Sequence, residues 1–132
     1  MMNLQEQAKM YYTDQGKNCA VAILLAGSDV YGLGLGAEDA KLLVGFGGGM
    51  GCGSTCGCLA GAVAALGKLY ADKEQIKEVA AAYAAIFKDA LKKDTWDCAI
   101  LHDAYFAEGF RCFGCVEQSA KTLEAFIAEK GM

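Results

Sequence analysis

The segment GFGGGMGCGSTCGCLAG, at residues 45–61, constrains the fold of this 132-residue chain more than any other feature. It contains eight glycines and three cysteines and no charged residue. Glycine loses more conformational freedom on folding than any other residue, so a glycine run is favoured where the backbone turns tightly or approaches another group closely. The segment therefore predicts a buried loop whose backbone amides lie beside thiols.

This loop belongs to a longer uncharged stretch, residues 42–67, which has the length of a membrane-spanning helix. Its glycines, together with Ser54 and Thr55, would expose backbone polar groups to lipid, where nothing satisfies them. We therefore interpret the stretch as a soluble loop that enters a helix, and we expect no membrane insertion. The N-terminal sequence MMNLQEQAKMYY shows neither a signal peptide nor a transit peptide, so we expect a cytoplasmic protein.

Apolar residues recur at helical spacing along the chain, and the sequence contains no proline. Asn18 is suited to cap one helix, and Ser54 or Thr55 is suited to cap the helix after the loop. No window alternates with the period of two that marks a strand. The predicted helices cover residues 2–12, 18–30, 37–44, 56–71, 73–91, 96–107 and 115–129. The expected fold is an all-α, single-domain bundle of about five to seven helices over residues 1–132, with the Gly-rich loop entering a central helix.

Charge and cysteine usage limit the classes of function. The formal net charge is −4 and no Lys/Arg cluster occurs, so nucleic acid is not an expected partner. Seven cysteines, an odd number, in a chain without a secretory signal argue against a disulfide framework. Such cysteine usage favours metal or redox chemistry.

The glycine loop does not match either common phosphate-binding pattern. It lacks the glycine spacing of the dinucleotide fingerprint, and no Lys-Ser/Thr pair follows it as in a P-loop. Consecutive glycines beside a helix start instead present amide groups that stabilise anions and thiolates. We therefore single out Cys56 as the best candidate for a reactive or metal-ligating thiolate.

Other cysteines also lie near the ends of predicted helices. Cys19 follows Asn18, Cys98 shares a helical face with His102, and Cys115 precedes the apolar stripe of the last helix. Four helix-borne thiols that point into one bundle could meet at one place. A tetrathiolate site of this kind suits an iron–sulfur cluster or zinc.

The sequence resembles a family of redox-active proteins named for a Cys, Gly-Cys-Ala-x-x-Gly, Cys, Cys pattern. Its N-terminal Asn-Cys-Ala start matches Asn18–Ala20, and its Gly-Gly-Gly-Met-Gly loop matches Gly47–Gly51. Its signature reads Cys-Gly-Ala-x-x-Gly in register with Cys56–Gly61. Its third and fourth cysteines match Cys98 and Cys115. The family is also similar to the cluster-binding domain of split-Soret cytochromes, which supports a [2Fe-2S] centre.

The resemblance implies an electron-transfer protein with a redox partner protein. Its implied metal ligands are Cys19, Cys56, Cys98 and Cys115, and the glycines expected to line the cofactor are Gly48, Gly49, Gly51, Gly53 and Gly57. The chain departs from the pattern because Cys58 occupies the alanine position, and Cys52 and Cys112 are additional. Cys58 could therefore replace Cys56 as a ligand, and Cys112 could replace Cys115.

Three other hypotheses remain open from the sequence. The chain could perform thiol–disulfide exchange with Cys56 as the reactive thiol. It could hold structural zinc on a set comprising Cys98, His102, Cys112 and Cys115. It could also be a helical interaction module or a homodimer in which small residues pack closely and cysteines fill the core.

Overall fold

The computed structural model describes residues 3–71, 75–92, 94–106 and 112–130. Within these ranges the chain forms seven α-helices and no strand, which confirms the all-α prediction. The helices are α1 Leu4–Lys9, α2 Cys19–Tyr31, α3 Ala37–Ala40, α4 Gly57–Tyr70, α5 Ile76–Ala90, α6 Cys98–Tyr105 and α7 Phe113–Glu129. None of these helices has both the length and the apolar character that a membrane crossing requires.

Helix α2 begins where the sequence predicts it. The Asn18 side chain accepts a hydrogen bond from the Val21 amide at 2.9 Å, as an N-cap does. The same side chain donates to the Val44 carbonyl at 2.9 Å, just before the glycine loop. The helix is followed by its C-cap Gly32, whose φ of 66° is the left-handed conformation that glycine adopts without strain. Asn18 thus joins the start of α2 to the loop.

Helix α4 begins differently from the prediction. The prediction that Ser54 or Thr55 caps this helix is wrong, because Cys56 is the N-cap and no side chain forms a capping hydrogen bond. Thr55 instead forms an isolated antiparallel bridge with Asp97. Around it the Cys56 amide donates to the Trp96 carbonyl at 2.7 Å, and the Cys98 amide donates to the Ser54 carbonyl. The bridge therefore holds the start of α6 beside the start of α4.

Small residues bring α2 and α4 into close contact. A Cβ added at Gly27 would lie 3.3 Å from the Ala65 Cβ, and one added at Gly61 would overlap the carbonyl oxygen of Ala20. The two backbones therefore approach each other more closely than larger side chains would permit. This contact sets the position of the start of α4 relative to the start of α2.

Helices α5 and α7 pack through aromatic side chains. Tyr83 and Phe87 of α5 are fully buried. The Tyr83 ring lies 5.2 Å from the Phe126 ring of α7, in an edge-to-face arrangement. The Tyr83 hydroxyl donates to the Ser119 carbonyl at 3.5 Å. These contacts hold α7 against the core, with its first turn beside the start of α4.

The close contact of α2 with α4 predicts opposite effects for two glycine substitutions in α4. Gly61→Ala should lower the free energy of unfolding by about 1–3 kcal/mol, because the added methyl must displace the backbone of α2. Gly67→Ala, where no atom lies within 4 Å, should raise it by about 0.5–1 kcal/mol by favouring the helix. Urea unfolding followed by circular dichroism measures both. Equal effects of the two substitutions would contradict the close contact.

Candidate metal centre

Most of the cysteines lie where helices begin. The cysteines at the cap or in the first turn of α2, α4, α6 or α7 are Cys19, Cys56, Cys58, Cys98, Cys112 and Cys115. The first amides of a helix lack partners within the helix, and the helix dipole adds partial positive charge there. The field at a helix start favours the thiolate form of a nearby sulfur, whereas burial opposes it.

Three of these cysteines form a buried cluster. The Sγ atoms of Cys56, Cys58 and Cys115 all lie within 4.8 Å of one another, and no other group of three or more possible metal ligands is this close among the residues that the structure describes. The Sγ atoms of Cys56 and Cys115 are 4.0 Å apart. Each of the three side chains is at most 4% exposed. The structure thus brings together two of the four predicted ligands and adds Cys58.

Cys19 joins this cluster through Cys58. A hydrogen bond with Cys58 is the largest cause that lowers the pKa of Cys19, and the backbone amides of Gly48 and Ala20 lower it further. A Cβ at Gly57 would overlap the Cys19 sulfur, so a side chain at this position would displace that sulfur. The predicted contribution of Gly48 and Gly57 to the site therefore has a geometric basis at Cys19.

The buried thiols differ in protonation because they share hydrogen bonds. Hydrogen bonds with Cys115, and then with Cys58, lower the pKa of Cys56 to about 3, and the backbone amides of Cys58 and Leu59 lower it further. The hydrogen bond between Cys56 and Cys115 raises the pKa of Cys115. The pKa of Cys58 is raised by its hydrogen bonds with Cys115, Cys19 and Cys56. These hydrogen bonds therefore favour the thiolate form at Cys19 and Cys56 over the thiolate form at Cys58 and Cys115.

Cys98 lies at the edge of the site rather than within the buried cluster. Burial raises its pKa to about 11, and the charge of Cys56 contributes to the same shift. Its side chain faces a cavity of about 220 Å³ between the starts of α2, α6 and α7. The residues lining this cavity are Tyr12, Asn18, Cys19, Gly48, Cys98, His102, Phe106 and Cys112. Cys19 therefore connects the buried cluster with the thiols around the cavity.

The zinc ligands considered from the sequence are not assembled. Cys115 belongs to the buried cluster, whereas Cys98, His102 and Cys112 line the cavity, and in the described part of the chain the four do not reach the spacing of a ligand set. The His102 ring stacks on Phe106 with centroids 4.6 Å apart, and its side chain is 49% exposed. His102 is thus a cavity residue with an aromatic neighbour.

The glycine loop adopts left-handed backbone conformations at Gly48, Gly49, Gly51 and Gly53, with φ between 64° and 76°. A Cβ at Gly49 would lie 2.5 Å from the Cys98 Cβ, whereas one at Gly51 would meet no atom within 4 Å. Exposed Cys52 bonds to the Gly49 carbonyl and takes no part in the buried cluster. Gly49 thus packs against the site, and Gly51 shapes the loop.

Cys58 is the site residue that the predicted ligand set lacks. It stands where the sequence pattern has alanine, and the sequence suggests it only as a replacement for Cys56, whereas the structure places both in the buried cluster. The signal for Cys58 in the sequence is its position two residues after Cys56, which places one cysteine at the N-cap and the other in the first turn of α4. Sequence spacing alone does not show that its sulfur reaches Cys19 and Cys115.

Comparisons with known proteins support a redox interpretation of these cysteines. A family model described as "Putative redox-active protein (C_GCAxxG_C_C)" matches residues 17–126, most of the chain. Comparison with curated proteins and with solved structures gave no match. The matched region contains every cysteine of the buried cluster and of the cavity.

The packing of Cys98 against Gly49 predicts a difference between two alanine substitutions in the loop. Gly49→Ala and Gly51→Ala both force a side chain into a left-handed conformation, which costs about 1–2 kcal/mol. Gly49→Ala should cost about 1–3 kcal/mol more, because its methyl must displace Cys98 or the Ser54 backbone. Chemical unfolding of both variants measures this difference, and equal losses of stability would show that Cys98 does not pack on Gly49.

Proposed function

The chain belongs to the C_GCAxxG_C_C family of redox-active proteins, and we propose that it transfers electrons through an iron–sulfur cluster bound by cysteine thiolates. The observation that carries this proposal is the convergence of cysteine side chains from separate helix starts on one buried place. Close burial of several thiols without a ligand or a bond between them is costly when they ionise. A bound metal removes that cost by binding the thiolates directly.

The geometry of the cysteines fits a soft metal. A tetrahedral metal with metal–sulfur bonds of about 2.3 Å separates its thiolates by about 3.8 Å. The Sγ atoms of Cys56 and Cys115 are 4.0 Å apart, so these two could share one metal atom with little movement. Thiolates are also the ligands that iron–sulfur clusters and zinc prefer.

We assign the cluster to Cys19, Cys56, Cys98 and Cys115, as a [2Fe-2S] centre with four thiolates. When bound, such a cluster supplies a one-electron redox couple. Cys98 faces the cavity, so the Cys98 side is the more accessible side of the site. In this assignment Cys58 is a neighbouring thiol that hydrogen-bonds to the ligands.

The surrounding backbone supports negative charge on the sulfurs. The Gly48 amide interacts with Cys19, and the amides of Cys58 and Leu59 interact with Cys56. Amide donors to ligand sulfurs stabilise the more negative, reduced state, and burial keeps water away from it. In this proposal the glycines Gly48, Gly49, Gly51, Gly53 and Gly57 line the cofactor, and a redox partner protein in the cytoplasm exchanges electrons with it.

Anaerobic reconstitution with iron and sulfide tests the proposal. We expect the wild type to gain two iron and two acid-labile sulfide per chain, as for [2Fe-2S], with visible charge-transfer absorption. Cys56→Ser and Cys115→Ser should each lose most of this absorption, because each removes a ligand. Cys58→Ala, which restores the alanine of the family pattern, and Cys52→Ser, which changes an exposed cysteine, should both retain it.

Three results of this experiment would contradict the proposal. Binding of zinc without sulfide would indicate a structural metal site. Loss of the cluster in Cys58→Ala but not in Cys115→Ser would replace Cys115 by Cys58 in the ligand set. Binding of no metal, with unchanged stability in Cys56→Ser, would favour a helical interaction module.

The second candidate function is thiol–disulfide exchange, which the contact between Cys56 and Cys115 favours. The Cys56 thiolate would attack a low-molecular-weight disulfide and release one thiol. Cys115, after losing its proton to solvent, would then attack the mixed disulfide, forming the Cys56–Cys115 bond and releasing the second thiol. Two electrons thus pass from the two cysteines to the disulfide substrate.

Disulfide mapping of the metal-free protein after treatment with oxidised glutathione tests this candidate. Exchange chemistry predicts a Cys56–Cys115 disulfide within minutes, because the two sulfurs need to move closer by only about 2 Å. Cys52→Ser should give the same product, since Cys52 is exposed and apart from the pair. Modification at Cys52 alone would exclude Cys56 as the reactive thiol.

A further inference from the structure

One buried hydroxyl in the structure lacks a hydrogen-bond partner and lies next to the cysteine cluster. The Ser119 side chain of α7 is fully buried. Its Oγ atom makes no hydrogen bond of good geometry with any other part of the chain that the structure describes. A buried hydroxyl without a partner is unfavourable, because it has given up its bonds to water. Most buried side-chain hydroxyls in proteins have a hydrogen-bond partner, so the unpaired Ser119 hydroxyl is an exception.

The usual bond of a helical hydroxyl is not made at Ser119. Serine and threonine in a helix commonly donate to the carbonyl four residues earlier. Thr122, less than one turn further along α7, does so by donating to the Gln118 carbonyl at 2.7 Å. At Ser119, by contrast, the backbone carbonyl accepts a bond from Tyr83, and the hydroxyl remains unpaired. Ser119 is therefore free to donate elsewhere.

The Ser119 hydroxyl lies close to the Cys115 side chain. The two residues are four positions apart on α7, so their side chains share one face, and helical side chains lean toward the N-terminus. The Ser119 hydroxyl is near enough to lower the pKa of the Cys115 thiol, although the contact does not reach the geometry of a hydrogen bond. The Cys115 sulfur also lies 4.0 Å from the Cys56 sulfur, a contact in which either sulfur can be the donor. A neutral thiol is in any case only a weak acceptor for the Ser119 proton.

We infer that Ser119 is a positioning residue for the metal centre, whose hydroxyl donates a hydrogen bond to the Cys115 sulfur once that sulfur binds metal as a thiolate. This inference rests on the proposed metal-binding function. A metal binds cysteine as the thiolate, and a charged thiolate is a stronger hydrogen-bond acceptor than a neutral thiol. The hydroxyl then gains the partner that it lacks in the metal-free site, and the bond holds Cys115 in its ligating position.

We expect Ser119→Ala to affect the metal-free and the metal-bound protein differently. In the metal-free protein the substitution removes an unpaired hydroxyl, so the free energy of unfolding should stay equal or rise. In the metal-bound protein it removes a donor to a ligand sulfur, so metal affinity should fall by about tenfold to a hundredfold. A purely structural role of Ser119 would change both states in the same direction.

Cobalt(II) is the probe for this test, because thiolate ligands give it strong sulfur-to-metal charge-transfer absorption. Competition with a chelator would give the dissociation constant of wild type, Ser119→Ala and the control Thr122→Val. Thr122 lies on the same helix, and its hydroxyl already has a partner, so Thr122→Val should leave the dissociation constant within about twofold. Ser119→Ala should also shift the charge-transfer band, since the sulfur loses a hydrogen bond.

The outcomes separate this inference from the proposed function. If the wild type binds cobalt and Ser119→Ala binds it equally tightly with an unchanged spectrum, the role of Ser119 is overturned while the metal site stands. If the wild type shows no sulfur-to-cobalt absorption, the metal site itself fails, and with it the inference. If Ser119→Ala destabilises the metal-free protein as strongly as it weakens cobalt binding, Ser119 is a packing residue only.

Discussion

The structure depends on the interaction between sulfur atoms and the free ends of helices. Helices α2, α4 and α7 begin at one buried place, and α6 begins at its edge. Each helix start brings amides that lack partners within the helix and a partial positive charge, which favour thiolates. Conversely, Cys56 and Cys112 themselves stand at the N-cap positions of α4 and α7, where no side chain caps the helix. Cysteine and helix start therefore stabilise each other here.

The arrangement also explains why glycine is so frequent around the cysteines. Four helix starts can meet only if the backbones between them come close, and side chains would prevent this. Gly57 gives room to the Cys19 sulfur, and Gly61 gives room to the backbone of α2. The conformational entropy that glycine loses is then offset by contacts that no other residue permits. The glycines of the loop and of α4 are thus what allows the cysteines to pack so closely together.

Local signals in the sequence predicted part of this arrangement. Asn18 as a cap, Cys19 in a first turn and the all-α fold follow from residue type and spacing over a few positions. The membership of Cys58 in the cluster depends on the packing of α2 and α7 against α4, which no local pattern contains. The false cap at Ser54 and Thr55 has the same origin, because pairing with the distant Asp97 segment overrides the local preference.

The bridge between Thr55 and Asp97 has a consequence for how this chain tolerates sequence change. It fixes the first residue of α6 through main-chain atoms, so the location of Cys98 does not rely on the outward face of that helix. Ile100 and Asp103 are largely exposed on this face. Evolution can therefore remodel the exterior of α6 to suit different protein surroundings while the thiol beneath it stays in register.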